Sequence, residues 1–298
     1  MTLVPGAMRV LLLGSSGFIG QSIASSAPDN IHVTGTYKSR ASRAKGNEKI
    51  QLDFLSTEID WSNLIDGYDC IIVAARANSN DPKSRTDLSK NASKSFENLL
   101  SAINSTSEKK NLIVINGSLS YGDRGDELVK SDFEVNPTGF AKSYAIAEAP
   151  FRKYHSNGGR IAIIRAPWVL GKGSWYEQMY DSMDHIPVLA KGEQWMSIIT
   201  LEDLSKYIWD CVENESIGIF HPKLTYRCIQ KEFASIVAGI TEKKTRDYGF
   251  FRLLGWDKQM KESVVASIRL DDQRDDVSEN LESKNNLIQY LQNIHSDF

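Results

Sequence analysis

Cysteine is scarce in this chain of 298 residues: Cys70, Cys211 and Cys228 are its three thiols, and no two of them form a C-x-x-C pair. Three thiols cannot all pair, which excludes a disulfide framework and points to a reducing, cytoplasmic setting. The five histidines are scattered without metal-ligand spacing, so no metal site is legible. No run approaches the ~20 apolar residues of a membrane-spanning helix. The apolar run near the N-terminus is too short for a secretory signal, and residues 1–7 read as a leader before Met8. An excess of one charge is also missing: the net charge of −3 exerts no general pull toward nucleic acid or an anionic membrane. Internal repeats and low-complexity tracts are absent. Apolar residues make up 41% of the chain and charged residues 24%, the balance of a globular protein with a sizeable core.

Against this background one segment stands out. The apolar run 10–13 feeds into Gly14, Ser15, Ser16, Gly17, Phe18, Ile19 and Gly20. A strand breaks there into a glycine-rich turn and then a helix. Glycines allow a tight turn and a close approach to a diphosphate. The helix that follows directs its free N–H groups and positive dipole end toward the phosphates. A second strand at 31–36 supplies the context that separates a dinucleotide site from a chance glycine triplet. Further apolar runs at 50–52, 70–74, 112–115 and 161–164 alternate with helical spacing at 89–103 and 140–154. That alternation predicts an α/β fold with a Rossmann-type doubly wound parallel sheet. We expect a dinucleotide-binding domain over 8–166. Residues 167–298 would form mainly a smaller C-terminal substrate lobe, with some segments returning to the sheet. Trp168, Trp175, Tyr176, Tyr180 and Trp195 belong to that lobe and read mostly as core. The polar stretch 271–284 reads as a solvated helix or a connection.

The end of the second strand bears on the choice of dinucleotide. NAD sites usually place an acid there for the ribose hydroxyls. This chain instead reads Thr36, Tyr37, Lys38, Ser39, Arg40. Lys38, Ser39 and Arg40 suit a 2′-phosphate, so NADP(H) is expected over NAD(H). Asp53, after the third strand, either accepts from the adenine amino group or caps a helix.

These residues resemble the extended short-chain dehydrogenase/reductase superfamily, specifically its NAD-dependent epimerase/dehydratase family. The glycine turn carries the resemblance first. Residues 70–75 look like the family's fourth strand, ending in small residues beneath the adenosine. Asn91, with Asn98, Leu99 and Leu100, looks like its central helix. Ser118 to Gly122 resemble the segment that ends in Tyr-Gly and bears the catalytic Ser or Thr. Arg165 to Gly171 look like the Arg-Pro stretch, and Ile199 to Leu204 resemble a later element, with Thr200 in place of His. The resemblance implies further cofactor contacts at Phe54, Ala74, Ala75, Arg76, Asn91 and Pro167. It also implies a small-molecule substrate, with nucleotide sugars as the family's class.

The chain departs from the pattern at the family's Tyr-x-x-x-Lys pair. Phe140 occupies the Tyr position and Tyr144 the Lys position, and no tyrosine here has lysine four residues on. Lys142 cannot substitute, since two residues are about 200° around a helix. Tyr144 and Ser118 are therefore the candidate catalytic groups, with Phe140 packing one turn from Tyr144 on the same helix face. The readings left open are a reductase or epimerase-like enzyme with a non-standard proton donor, and a degenerate NADP(H)-binding regulatory or scaffold protein. A homodimer through 89–103 and 140–154 also stays open.

Overall fold

The computed structural model describes residues 6–77, 79, 81–249, 256–272 and 281–296. Most of the polar stretch 271–284, and most of the leader, lie outside these residues. The strands are β1 (Met8–Leu13), β2 (Ile31–Tyr37), β3 (Glu48–Gln51), β4 (Cys70–Val73), β5 (Asn111–Gly117), β6 (Leu128–Val129), β7 (Ala162–Ala166), β8 (Trp168–Leu170), β9 (Ile186–Leu189), β10 (Trp195–Thr200), β11 (Gly218–Phe220), β12 (Tyr226–Ile229), β13 (Thr245–Tyr248) and β14 (Arg269–Leu270). The helices are α1 (Phe18–Ser25), α2 (Trp61–Leu64), α3 (Pro82–Ser105), α4 (Ala141–Ser156), α5 (Leu201–Glu213), α6 (Gln230–Thr241), α7 (Lys258–Val265) and α8 (Leu281–Ser296).

The chain divides into two units. The first comprises Met1–Asn116, Ser143–Ile164 and Ser205–Phe220; the second comprises Gly117–Lys142, Arg165–Leu204 and His221–Phe298. Residues 117–142, inside the expected 8–166 domain, thus pack with the second unit, while 205–220 return to the first.

The first unit holds a seven-stranded parallel sheet in the order β11-β7-β5-β4-β1-β2-β3. The central strands read as unbroken apolar runs because helices cover both faces. Leu11, Leu13, Ile71, Val73, Leu112 and Val114 meet Phe96 and Leu99 of α3 and Phe151 of α4 in one core. β1 is flanked by β2 on one side and β4 on the other, with Val10 opposite Val33 and Cys70. The strand order reverses there, and the crevice beyond the strand ends at such a switch point is where ligands bind in this architecture.

Helix α3 begins seven residues before the apolar spacing suggested. The Asp81 carboxylate accepts from the Ser84 N–H at 2.7 Å, and Pro82 takes the first helical position, whose N–H needs no partner. Its first two turns are polar and so invisible to periodicity. The three-residue edge strand β11 was equally hidden and pairs parallel to β7.

The second unit is built on a three-stranded sheet, β12-β10-β8, and two pairs of short parallel strands. Its core gathers Tyr176, Tyr180, Phe233 and, from α8, Leu287 and Leu291, with Trp168 and Trp175 packed against it. The aromatic cluster is therefore mostly core. All three cysteines are buried and free.

Candidate dinucleotide site

The glycine turn has little room for side chains. Gly14 has φ +91°, and a Cβ there would lie 2.8 Å from the Ala75 Cα at the end of β4. A Cβ on Gly20 would lie 2.1 Å from the Gly14 carbonyl oxygen. α1 is thus seated directly on the turn, and the turn against the neighbouring strand. Ser15 faces inward: its N–H and its hydroxyl both donate to the Thr36 carbonyl, at 3.0 and 3.1 Å. Thr36 Oγ1 in turn accepts the Gly14 N–H at 3.0 Å. Ser15 therefore ties the turn to β2 rather than presenting its hydroxyl to a ligand. Gly17, at the N-cap of α1, offers no side-chain cap. The N–H groups of the helix's first turn are left to an outside acceptor. A tight turn whose glycines let strand, turn and helix close on one another, at the switch point of the sheet, with free helix N–H groups, fits a dinucleotide diphosphate. Sequence reasoning missed Gly35, whose added Cβ would lie 2.1 Å from the Lys45 carbonyl and 2.5 Å from Ser15 Oγ; only a three-dimensional contact reveals that need.

β2 ends in Tyr37, followed by the exposed Lys38, Ser39 and Arg40. Arg40 precedes a single 3₁₀ turn, Ala41–Arg43, and Arg43 adds a further exposed cation that the sequence reading passed over. Residues three apart eclipse in such a turn. Lys38 Nζ lies 2.8 Å from Asp53 Oδ2. Asp53 Oδ1 also accepts from the Leu55 N–H at 3.2 Å, so its carboxylate caps a turn; the next helix, α2, is capped by Asp60 instead. The Phe54 ring stacks on Phe96, with centroids 5.8 Å apart, and so serves packing.

At the end of β4, the Ala74 N–H donates to the Leu13 carbonyl at 3.0 Å. Arg76 follows, and its guanidinium carbon lies 3.9 Å from the centroid of the Tyr144 ring. Tyr144 is half-buried in the first turn of α4, and among the described residues its hydroxyl has no hydrogen-bond partner. One turn further on, Glu148 is buried and takes an amide N–H from Asn116 and an ion pair from Arg152. Asn91 lies on the exposed face of α3, away from the buried Ser89, Ala92 and Phe96, whereas Asn98 donates to the Thr57 carbonyl.

In the second unit, Ser118 is buried at the start of a 3₁₀ turn, Ser118–Tyr121, which directly follows β5. Pro167 is buried between β7 and β8. Phe140 stands just before α4 rather than inside it, contrary to the expected placement. Gly139 turns the chain at φ +52°, and the helix entry is held by α7: the Gly139 N–H donates to Glu262 and the Phe140 N–H to Ser263 Oγ, at 3.2 and 3.0 Å. Lys142 Nζ lies 2.6 Å from Glu262, and this bond holds the Glu262 carboxyl below its usual range. The Tyr-Gly element proves structural. Tyr121 is buried and its hydroxyl donates toward the Ser131 carbonyl at 3.2 Å and lies 2.8 Å from His221 Nε2, while Nδ1–H of His221 donates to the Asp271 carbonyl at 2.6 Å. Burial pushes the His221 pKa down, which agrees with this neutral tautomer.

The family model for NAD dependent epimerases and dehydratases matches residues 10–220, a stretch that runs from β1 to β11. The chain belongs to that family. No curated protein matches the sequence. Among solved structures, a human epimerase family protein, SDR39U1, determined with NADPH, superposes with a TM-score of 0.75 at 16% identity, covering 98% of this chain and 100% of that one. UDP-glucuronic acid 4-epimerase from Bacillus cereus, in complex with UDP-glucuronic acid and NAD, gives 0.72 at 16%, covering 98% and 100%. dTDP-glucose 4,6-dehydratase from Streptomyces venezuelae, with NAD bound, gives 0.70 at 14%, covering 97% and 98%. At these identities the likeness is one of fold. Among the described residues, no helix is long and apolar enough to cross a membrane.

Proposed function

We propose that this epimerase/dehydratase-family protein binds NADP(H) in preference to NAD(H) and reduces a small carbonyl substrate, with Tyr144 as the proton donor. The observation that carries the reading is the open basic end of β2. Lys38, Ser39 and Arg40 are exposed, and no carboxylate stands between Thr36 and Arg40 to take the ribose hydroxyls. Phe18 and Ile19 N–H groups would meet the diphosphate, and Ala74 and Ala75 leave the adenosine side uncrowded. The bound cofactor supplies the hydride. The chain supplies the proton: the Tyr144 hydroxyl is uncommitted, and Arg76 stacked on the ring fixes its orientation. With no lysine one turn beyond it, the phenol serves as a donor, which suits reduction of a carbonyl over oxidation of an alcohol. The structure of SDR39U1 with NADPH supports the cofactor reading, and the Bacillus epimerase with UDP-glucuronic acid supports a nucleotide sugar as substrate class.

Phe140 favours a second reading, in which the protein binds NADP(H) without turning over. It stands where the family's tyrosine would and brings no exchangeable proton. Titration calorimetry with NADPH and NADH, in the wild type and in Arg40→Ala, tests the cofactor reading. A loss of about tenfold or more for NADPH alone is expected, since a hydrogen bond to a charged group contributes ~1.5–3 kcal/mol. Equal affinities in the wild type would refute it. A screen of carbonyl compounds, nucleotide sugars included, for NADPH oxidation tests the reaction. Turnover that disappears in Tyr144→Phe with NADPH affinity intact supports the donor role. Turnover unchanged in that variant removes it, and no turnover on any compound favours the second reading.

A further inference from the structure

Three cations cluster beyond β2, but they are not equivalent. Arg40 and Arg43 form no ion pair among the described residues, whereas Lys38 is neutralised by Asp53 at 2.8 Å. The pair is held from both sides. The Lys38 carbonyl accepts from Gln51 Nε2 at 3.0 Å, and the Tyr37 carbonyl takes the Leu52 N–H at 2.8 Å. Tyr37 and Gln51 are register partners between β2 and β3. Asp53 is anchored in turn by the Leu55 N–H on its other carboxylate oxygen. The backbone thus delivers a carboxylate to the lysine that a 2′-phosphate would need.

We infer that Asp53 is a specificity-setting residue that competes with the 2′-phosphate of NADP(H) for Lys38 and so limits the preference over NAD(H). This rests on the NADP(H) reading above. A 2′-phosphate beside Asp53 places two anions on one ammonium, and like charges at such range repel. Without the phosphate, the ion pair stays intact and costs nothing. Asp53 therefore acts on one cofactor and not the other, although it is not itself a phosphate ligand. Both partners are largely in contact with water (58% and 41% exposed side chains), so the effect is a few-fold factor rather than orders of magnitude.

The test is Asp53→Asn in the full chain, since the amide oxygen can still take the Leu55 N–H. Affinities for NADPH, NADH, 2′,5′-ADP and 5′-AMP are measured by calorimetry in the wild type, Asp53→Asn and Arg40→Ala. The expected result is a gain of about two- to fivefold for NADPH and 2′,5′-ADP, the factor of an exposed ion pair, with NADH and 5′-AMP unchanged. Parallel weakening of all four ligands would make Asp53 an adenine acceptor and overturn the inference. No change, or a selective loss for the two phosphate-bearing ligands, would overturn it as well. If Arg40→Ala weakens only NADPH and 2′,5′-ADP while Asp53→Asn gains nothing, the inference fails alone. If the wild type binds NADPH and NADH equally and Arg40→Ala alters neither, the NADP(H) reading fails, and the inference with it.

Discussion

Replacing Gly20 by alanine probes the seat of α1 on the glycine turn. The added Cβ would lie 2.1 Å from the Gly14 carbonyl oxygen, 2.8 Å from its carbon and 3.0 Å from the Ser15 Cα. All three atoms are backbone, so no side chain can swing aside. Ordinary van der Waals contact begins near 3.4 Å, which asks for a displacement of more than 1 Å. Gly14 has nowhere to go: its oxygen accepts the Gly17 N–H at 3.0 Å, and Ala75 backbone abuts it from the other side. The helix must lift instead, which disturbs the buried Ile23 and the bond from Trp209 Nε1 to the Ile23 carbonyl. Overpacking costs ~1–3 kcal/mol, and blocked relaxation puts Gly20→Ala near ~3. Gly17→Ala is the internal comparison. Its Cβ would meet a single atom, the Gly14 oxygen at 3.2 Å, so a cost below ~1 kcal/mol is expected. Urea unfolding of both variants measures the difference, and calorimetry with NADPH should show more than a tenfold loss for Gly20→Ala. Wild-type stability and affinity in Gly20→Ala, or an equal cost in Gly17→Ala, would refute the packing argument.

Acidification should weaken the second unit through His221. Its folded pKa lies below 6.5, so the unfolded chain binds the proton first, and stability falls as pH drops from 6.5 toward the folded value. The slope is at most about 1.4 kcal/mol per pH unit; melting temperatures at pH 7.5 and 5.5 should converge in His221→Gln, and an unchanged gap would exclude His221 as the cause. Asn116→Ala withdraws an amide donor from the buried Glu148 carboxylate and should cost ~1.5–3 kcal/mol in urea unfolding; a change below ~0.5 kcal/mol would mean that Glu148 does not depend on it. Gly122→Ala forces a side chain into a residue at φ +79° and a Cβ to 2.2 Å from the Asn136 carbonyl. A loss of ~2 kcal/mol or more is expected, and wild-type stability would show that the Tyr-Gly turn can open.

Much of the fold is legible in the residues because its signals are local. A glycine turn after an apolar run needs only neighbouring residues to be recognised, and the central strands announce themselves as apolar runs buried on both faces. The same holds for the absent lysine four residues after any tyrosine, and for the basic end of β2. What escaped depends on partners distant in the chain. β11 exists because three residues pair with β7, and Gly35 is required because the Lys45 backbone passes beside it. Asp53 could be read as an adenine acceptor or a cap until the structure set it on Lys38. Tyr121 and His221, 100 residues apart, turn the Tyr-Gly motif into a structural bond. Phe140 left the helix because Glu262 and Ser263, more than 120 residues on, take the N–H groups at its entry. Local backbone geometry and periodic burial are written in consecutive residues, so the sequence by itself determined the Rossmann sheet and its glycine cradle. Which charges, rings and N–H groups meet depends on contacts between remote segments, so only the tertiary structure decided that Lys38 is paired, that Arg76 covers Tyr144 and that Asn91 faces outward.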